Sequence, residues 1–289
     1  KNIALRDEKE REAFNIERML LNIINLPELY KRLCINPSLF IQDKLDKLEE
    51  LMGFQVLSLG SQPFIVQRCF KKNEKHITDE RNEITWLTLA YIESKKKKPE
   101  NLYIEGNAQK AAEEISRYAH QGGISENDIK LILNKYGIAY SVIPKLEKTP
   151  IDAASLQMSG YPSIITTHRY NDMSRLIFNV LHELGHILKH MSINKENSCS
   201  VFVSSEHDYS RDNKEEREAN EFAEDMLIPK DTWKKMMSAG SKNLSNQYIL
   251  RTLKRLSSEY SLDFNLVAWR YKYESSKYNL YGIKSLPIS

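Results

Sequence analysis

The segment Leu181-His182-Glu183-Leu184-Gly185-His186-Ile187-Leu188 limits what this chain can fold into more than any other. Ile177, Val180, Leu181, Leu184, Ile187 and Leu188 recur at i, i+3, i+4, i+7 spacing, a stripe broad enough to bury most of a helix. The remaining face carries His182, Glu183 and His186, and a buried helix holds such groups only when they have partners. Residues four apart share a helix face, so both imidazoles can donate to one zinc ion at about 2.0–2.1 Å. Glu183, next to the first histidine, can lean over the open side of the metal and take a proton from a water whose pKa the ion lowers to about 7. This is the residue set of metal-assisted peptide hydrolysis. The plainer alternative, a surface helix with two incidental histidines, does not account for the apolar stripe. Gly185 costs about 1 kcal/mol of helix propensity relative to alanine, which points to a close approach by another backbone.

A catalytic zinc usually takes three protein ligands and one water, so two histidines leave the set incomplete. His76, His120, His168, His190 and His207 sit in no spacing that demands a metal. His190 is one turn further along the same helix, either at its solvated end or supporting a ligand from behind. A second helix is predicted over Glu215 to Leu227, with Ala219, Phe222, Ala223, Met226 and Leu227 at helical spacing and Pro229 stopping it. Glu216 and Asn220 share one face. Glu216 could ligate the metal while Asn220 hydrogen-bonds a liganding imidazole, and Glu218 is the rival ligand. The other glutamates of this run read as a solvated face.

His-Glu-Leu-Gly-His, then Glu216-x-x-Ala219-Asn220-x-Phe222-Ala223, then Leu-Ile-Pro, resembles the ImmA/IrrE family of bacterial metallopeptidases. Pro162 to Tyr170 resembles the strand and Arg-Tyr turn before the active helix in helix-turn-helix-linked members. The resemblance extends from about Glu114 to Trp233. It implies a gluzincin-like fold, Zn2+ as cofactor, Glu216 as third ligand, a cytoplasmic site of action and cleavage of a transcriptional repressor.

Bulk properties narrow the alternatives. At 41% hydrophobic and 28% charged, 289 residues can hold a substantial core. A net charge of +3 is too small to argue for nucleic acid by itself. Cys34, Cys69 and Cys199 are odd in number and far apart, which argues against a disulfide framework or a cysteine zinc site. No apolar run approaches the roughly 18 residues of a membrane span, and the charged start from Lys1 to Arg11 does not read as a signal peptide. These features point to the cytoplasm. The chain begins at Lys1 rather than Met, which leaves room for residues upstream.

The whole pattern predicts an α+β fold, mostly helical, with a small antiparallel or mixed sheet packed on the HExxH helix. Residues 1–53 read as a helical N-terminal domain, 54–106 as a helical connector, 107–235 as the metallopeptidase core and 236–289 as a C-terminal helical hairpin. Helices are expected over Glu12 to Asn25, Pro27 to Leu33 and Asn36 to Met52, and a short strand at Gln55 to Leu57. Asp79 should cap a helix to Ser94, and Ser125 with Asp128 should form a capping box. Strands are expected at Ile138 to Ile143, Ala154 to Met158, Ser163 to Thr167 and Cys199 to Val203. If the last strand before the zinc helix lies at a sheet edge, a substrate segment could add to it in extended form. His207 or Tyr209, in the polar stretch after the zinc helix, could stabilise the oxyanion.

Two further function classes stand beside the peptidase. The first is a DNA-binding regulator or antitoxin whose zinc domain senses or scaffolds. Against it, the would-be recognition helix carries Asp43, Asp46, Glu49 and Glu50 against Lys44 and Lys47, where a groove-facing helix needs cationic or amide side chains. The C-terminal hairpin, with Arg251, Lys254, Arg255, Arg270 and Lys272, is the more cationic. The second is a catalytically idle metal-binding protein, and an intact Glu183 argues against that. Sequence leaves the oligomeric state open.

Overall fold

The computed structural model describes residues 2–62, 65, 78–121, 123–193, 200–205, 213–238, 245–275 and 286–288. The fold is α+β and mostly helical, with a four-stranded mixed sheet. The N-terminal part contains helices α1 (Asn2–Leu20), α2 (Leu26–Arg32) and α3 (Ile41–Met52), a 3-10 turn (Val56–Ser61) and α4 (Glu80–Lys96). Then come α5 (Asn107–His120), α6 (Glu126–Lys135), β1 (Ala139–Val142), β2 (Ile151–Met158) and β3 (Tyr161–Thr166). The chain continues through α7 (Met173–His190), β4 (Val201–Ser205), α8 (Lys214–Leu227), α9 (Lys230–Ser238), α10 (Asn246–Glu259) and α11 (Phe264–Ser275).

Local chemistry explains most boundaries. The Asp79 carboxylate accepts from the Arg81 and Asn82 N–H groups at the start of α4, and the Ser125–Asp128 capping box opens α6. The first helix ends at Leu20, short of the expected Asn25. Asn25 instead caps α2 by accepting from Glu28 N at 3.3 Å, and its own N–H donates to Thr85 Oγ1 at 2.8 Å. The third helix starts at Ile41, later than expected. Its cap comes from another helix, where the Glu10 carboxylate accepts from Ile41 and Gln42 N–H at 3.2 and 3.3 Å. The predicted strand at Gln55 to Leu57 is a 3-10 turn. The Ser58 and Ser61 hydroxyls donate to the carbonyls of Gln55 and Ser58, and Val56 N–H donates to the Glu49 carboxylate, so side chains rather than a neighbouring strand satisfy this backbone.

The sheet runs in the order β1-β3-β2-β4, with β1 and β3 parallel and the other pairs antiparallel. Gly160, at φ +85°, turns the β2–β3 hairpin. The last strand before the long helix is therefore interior, and the expectation that it might lie at an edge is corrected. Among the described strands the edges are β1 and β4, because β3 and β2 each pair on both sides. All eight residues of β2 are buried, since both sheet faces are covered. Ile151, Ala154, Leu156, Val201 and Val203 pack into one core with α1 to α4, while Tyr140 and Ile164 join the other, with α5 to α11. Period-two alternation does this sorting and leaves Ser155, Gln157, Phe202 and Ser204 for the face toward α7.

Against that face lies α7, whose start is capped by Asp172 accepting from Arg175 N at 3.2 Å. The approach inferred from Gly185 is present. A Cβ there would stand 3.1 Å from Ala219 Cα and 3.2 Å from Ala219 O, both backbone atoms of α8. The C-terminal pair α10–α11 packs on the same core through Leu253, Leu256, Leu266 and Val267. Arg270, read from sequence as part of a cationic surface, is 3% exposed instead. It donates to the Glu224 carbonyl at 2.6 Å and to the Ile228 carbonyl, and to Glu274 Oε1 at 2.9 Å. It thus ties the hairpin to the C-terminal end of α8, adding a second donor to the Glu224 carbonyl, which already accepts from Ile228 N–H, and a donor to the Ile228 carbonyl just past the helix.

Gly185→Ala sets about 1 kcal/mol of helix propensity against overpacking of about 1–3 kcal/mol. Backbone atoms cannot swing aside, so the substitution is expected to lower the thermal midpoint by a few degrees. An unchanged or raised midpoint would contradict the close approach of the two helices.

Candidate metal centre

On α7, His182 and His186 point their Nε2 atoms at each other across 3.0 Å. Both rings are buried, at 2% and 0% exposure. Glu216, in the first turns of α8, closes the group, with Oε2 3.3 Å from His182 Nε2 and Oε1 3.4 Å from His186 Nε2. Among the described residues this is the only cluster of three such groups able to hold a metal, with ligand atoms within 4.8 Å of one another.

The hydrogen bonds behind the rings fix which nitrogen faces inward. His182 Nδ1 lies 2.9 Å from Asn220 Oδ1. An amide oxygen only accepts, so Nδ1 carries the proton and Nε2 offers its lone pair. His186 Nδ1 lies 3.2 Å from His190 Nδ1, and His190 Nε2 lies 3.0 Å from Glu218 Oε2. A consistent proton order makes His190 donate to Glu218 and accept from His186, so His186 Nε2 also faces inward as a lone pair. Two buried lone pairs and a carboxylate in mutual contact need a cation between them. Tetrahedral ligands about 2.0–2.1 Å from one ion would stand about 3.3 Å apart, close to the distances found. The residues fit a divalent metal.

Electrostatics agree with that reading. Burial works to raise Glu216, yet its hydrogen bonds to His182 and His186 hold it well below the usual carboxylate range. Burial carries His186 down to about 4 against the pull of Glu216. For His182, burial is outweighed by the Glu216 hydrogen bond and the charges of Glu183 and Glu216, which raise it. A bound cation would take the place of the protons that hydrogen bonds from these rings to Glu216 require, leaving both imidazoles neutral with Nδ1–H outward.

Glu183 is fully buried, and burial pushes it up to about 7, partly opposed by the charge of His182 and the hydroxyls of Ser155 and Ser204. Ser204 Oγ, on β4, donates to Glu183 Oε1 at 2.5 Å. The other oxygen, Oε2, is buried without a full hydrogen bond among the described residues. One carboxylate oxygen is thus anchored by the sheet and the other is available for a proton. Phe202, two residues before Ser204, stacks on the His186 ring at 4.3 Å and 14°.

The structure brings together His182, His186, Glu183, Glu216 and Asn220. The rival ligand, Glu218, stands outside the cluster and pairs with His190. His207 and Tyr209 lie outside the described residues. Sequence reasoning missed Ser155, Phe202 and Ser204. The signal was the alternation of Val201-Phe202-Val203-Ser204, whose two faces differ in character.

Residues 142–272 match the family model described as the IrrE N-terminal-like domain. The match covers β2 to β4, both helices of the metal centre and most of the C-terminal helical pair. It therefore reaches further toward the C-terminus than the motifs quoted from the sequence. A comparison with curated proteins gives no match. The His-His-Glu centre lies inside this matched segment, so the family match falls on the part of the chain that carries the metal centre and supports the resemblance to the ImmA/IrrE metallopeptidases.

Proposed function

We propose that this protein is a zinc-dependent, site-specific endopeptidase that acts in the cytoplasm on a regulatory protein, a transcriptional repressor. The observation that carries the peptidase reading is Glu183, a buried carboxylate whose Oε2 makes no full hydrogen bond among the described residues, beside a three-donor group able to hold a metal. A centre of purely structural purpose has no use for such a base and closes its metal with four protein ligands. Zinc suits two imidazoles and one carboxylate. When bound, it supplies a Lewis acid that acidifies water and polarises a carbonyl. Glu183 Oε2 takes the proton from the attacking water and passes it to the leaving amine. Ser204 holds Oε1 meanwhile, so the carboxylate keeps its orientation through both transfers.

A polypeptide substrate is supported by β4, which pairs with β2 on one side only among the described strands and carries Ser204 next to the base. An extended segment could add there by main-chain hydrogen bonds. The repressor as target rests on the family resemblance. The acidic exposed face of α3, with Asp43, Asp46 and Glu50, favours a protein target over direct duplex binding.

Co-expression with a repressor encoded beside this gene tests the reading. The wild-type chain is expected to cleave it, and Glu183→Gln to slow cleavage by about 10²–10⁴-fold while still binding zinc. Cleavage by Glu183→Gln at the wild-type rate would mean the wrong base has been assigned.

Zinc at about 100 times its dissociation constant should add about 2.7 kcal/mol of stability. Chemical denaturation should show this gain in the wild type and lose it in His186→Ala. An equal gain in both proteins would place the metal elsewhere.

A further inference from the structure

Outside the three ligands, α8 lends a second carboxylate to the same face of α7. His190 is half a hydrogen-bonded chain by itself, accepting from His186 Nδ1 across 3.2 Å and donating to Glu218 Oε2 across 3.0 Å. The usual partner behind a liganding imidazole is a single carboxylate, carbonyl or water. Here an imidazole stands between ligand and carboxylate. Phe202 keeps both rings in place, stacked on His186 at 4.3 Å and lying 5.6 Å from His190. Lys189 Nζ donates to the Glu218 backbone carbonyl at 3.1 Å, and Lys214 Nζ lies 3.7 Å from Glu218 Oε1, so the backbone of Glu218 and the carboxylate oxygen that His190 leaves over each have a lysine partner. The contrast with His182 is informative, since a single amide oxygen from Asn220 suffices there.

We propose that His190 and Glu218 are positioning residues that fix the ring orientation and tautomer of His186 and thereby set the affinity of the centre for its metal. This rests on the metal-site reading above. The physical reason is that an imidazole lacking its outer acceptor is free to rotate about χ2 or to carry its proton on Nε2, and either change removes a donor from the ion. Glu218 acts at one remove. By accepting from His190 Nε2–H, it leaves His190 Nδ1 as a lone pair, the only state able to receive the His186 proton.

The experiment is a competition titration of purified full-length protein with Zn2+ against a chromophoric chelator, with the metal-free thermal midpoint recorded beside it. Wild type is expected to bind one ion and His186→Ala to lose it. His190→Ala should weaken zinc about 10–100-fold. His190→Asn restores an oxygen acceptor in place of Nδ1 and should stay within about threefold of wild type. Glu218→Ala, at a partly exposed site that tolerates the change, removes the acceptor for His190 Nε2–H and should weaken zinc when His190 is present and add nothing in the His190→Asn background. Zinc affinity within twofold of wild type in either His190→Ala or Glu218→Ala would overturn the role proposed for that residue, even if its metal-free midpoint fell. A folded wild type that binds no zinc would instead overturn the metal-site reading beneath it.

Discussion

Everything at this centre depends on how closely two helices approach. Because position 185 has no side chain, the α8 backbone at Ala219 comes within van der Waals reach of α7 one residue before His186. That contact seats Glu216, one turn earlier on α8, against both imidazoles, and Asn220, one residue later, behind His182. A wider gap would leave two buried histidines facing each other with no anion between them, an arrangement that burial penalises. The helix propensity given up at Gly185 is small beside the energy of a charged group buried without a partner.

The sheet supplies the second half of the geometry. Strands β2 and β4 present apolar residues to the N-terminal helices and mostly polar or aromatic ones to α7, so a single alternation places Phe202 on the His186 ring and Ser204 on Glu183. Burial that would be destabilising for an idle carboxylate raises Glu183 toward neutrality, near the pKa at which a group exchanges protons efficiently. The two carboxylates, Glu216 and Glu183, are therefore distinguished by their surroundings. Glu216 is drawn down by two imidazoles, and Glu183 is lifted by its burial.

What the sequence made legible was what depends on short range. The stripe from Ile177 to Leu188, the capping box at Ser125, the Asp79 cap and the meaning of Gly185 all follow from spacing within one helix. The shared face of Glu216 and Asn220 was legible too, but the preference for Glu216 over Glu218 as third ligand came from the family resemblance. Features set by contacts distant in sequence were not legible. These include the cap lent to α3 by Glu10, the burial of Arg270 against the end of α8, and the interior place of β3, which depends on β1 and β2 both pairing with it. The pairing of β4 with β2 was likewise beyond reach, so its alternation could be seen but not assigned to the base.

X-ray absorption at the zinc edge of the purified, zinc-loaded protein tests the central claim most directly. The structure predicts one ion per chain, with two imidazole nitrogens and oxygen donors about 2.0–2.1 Å away. A first shell lacking imidazole, a sulfur neighbour near about 2.3 Å, or no tightly held zinc would contradict it.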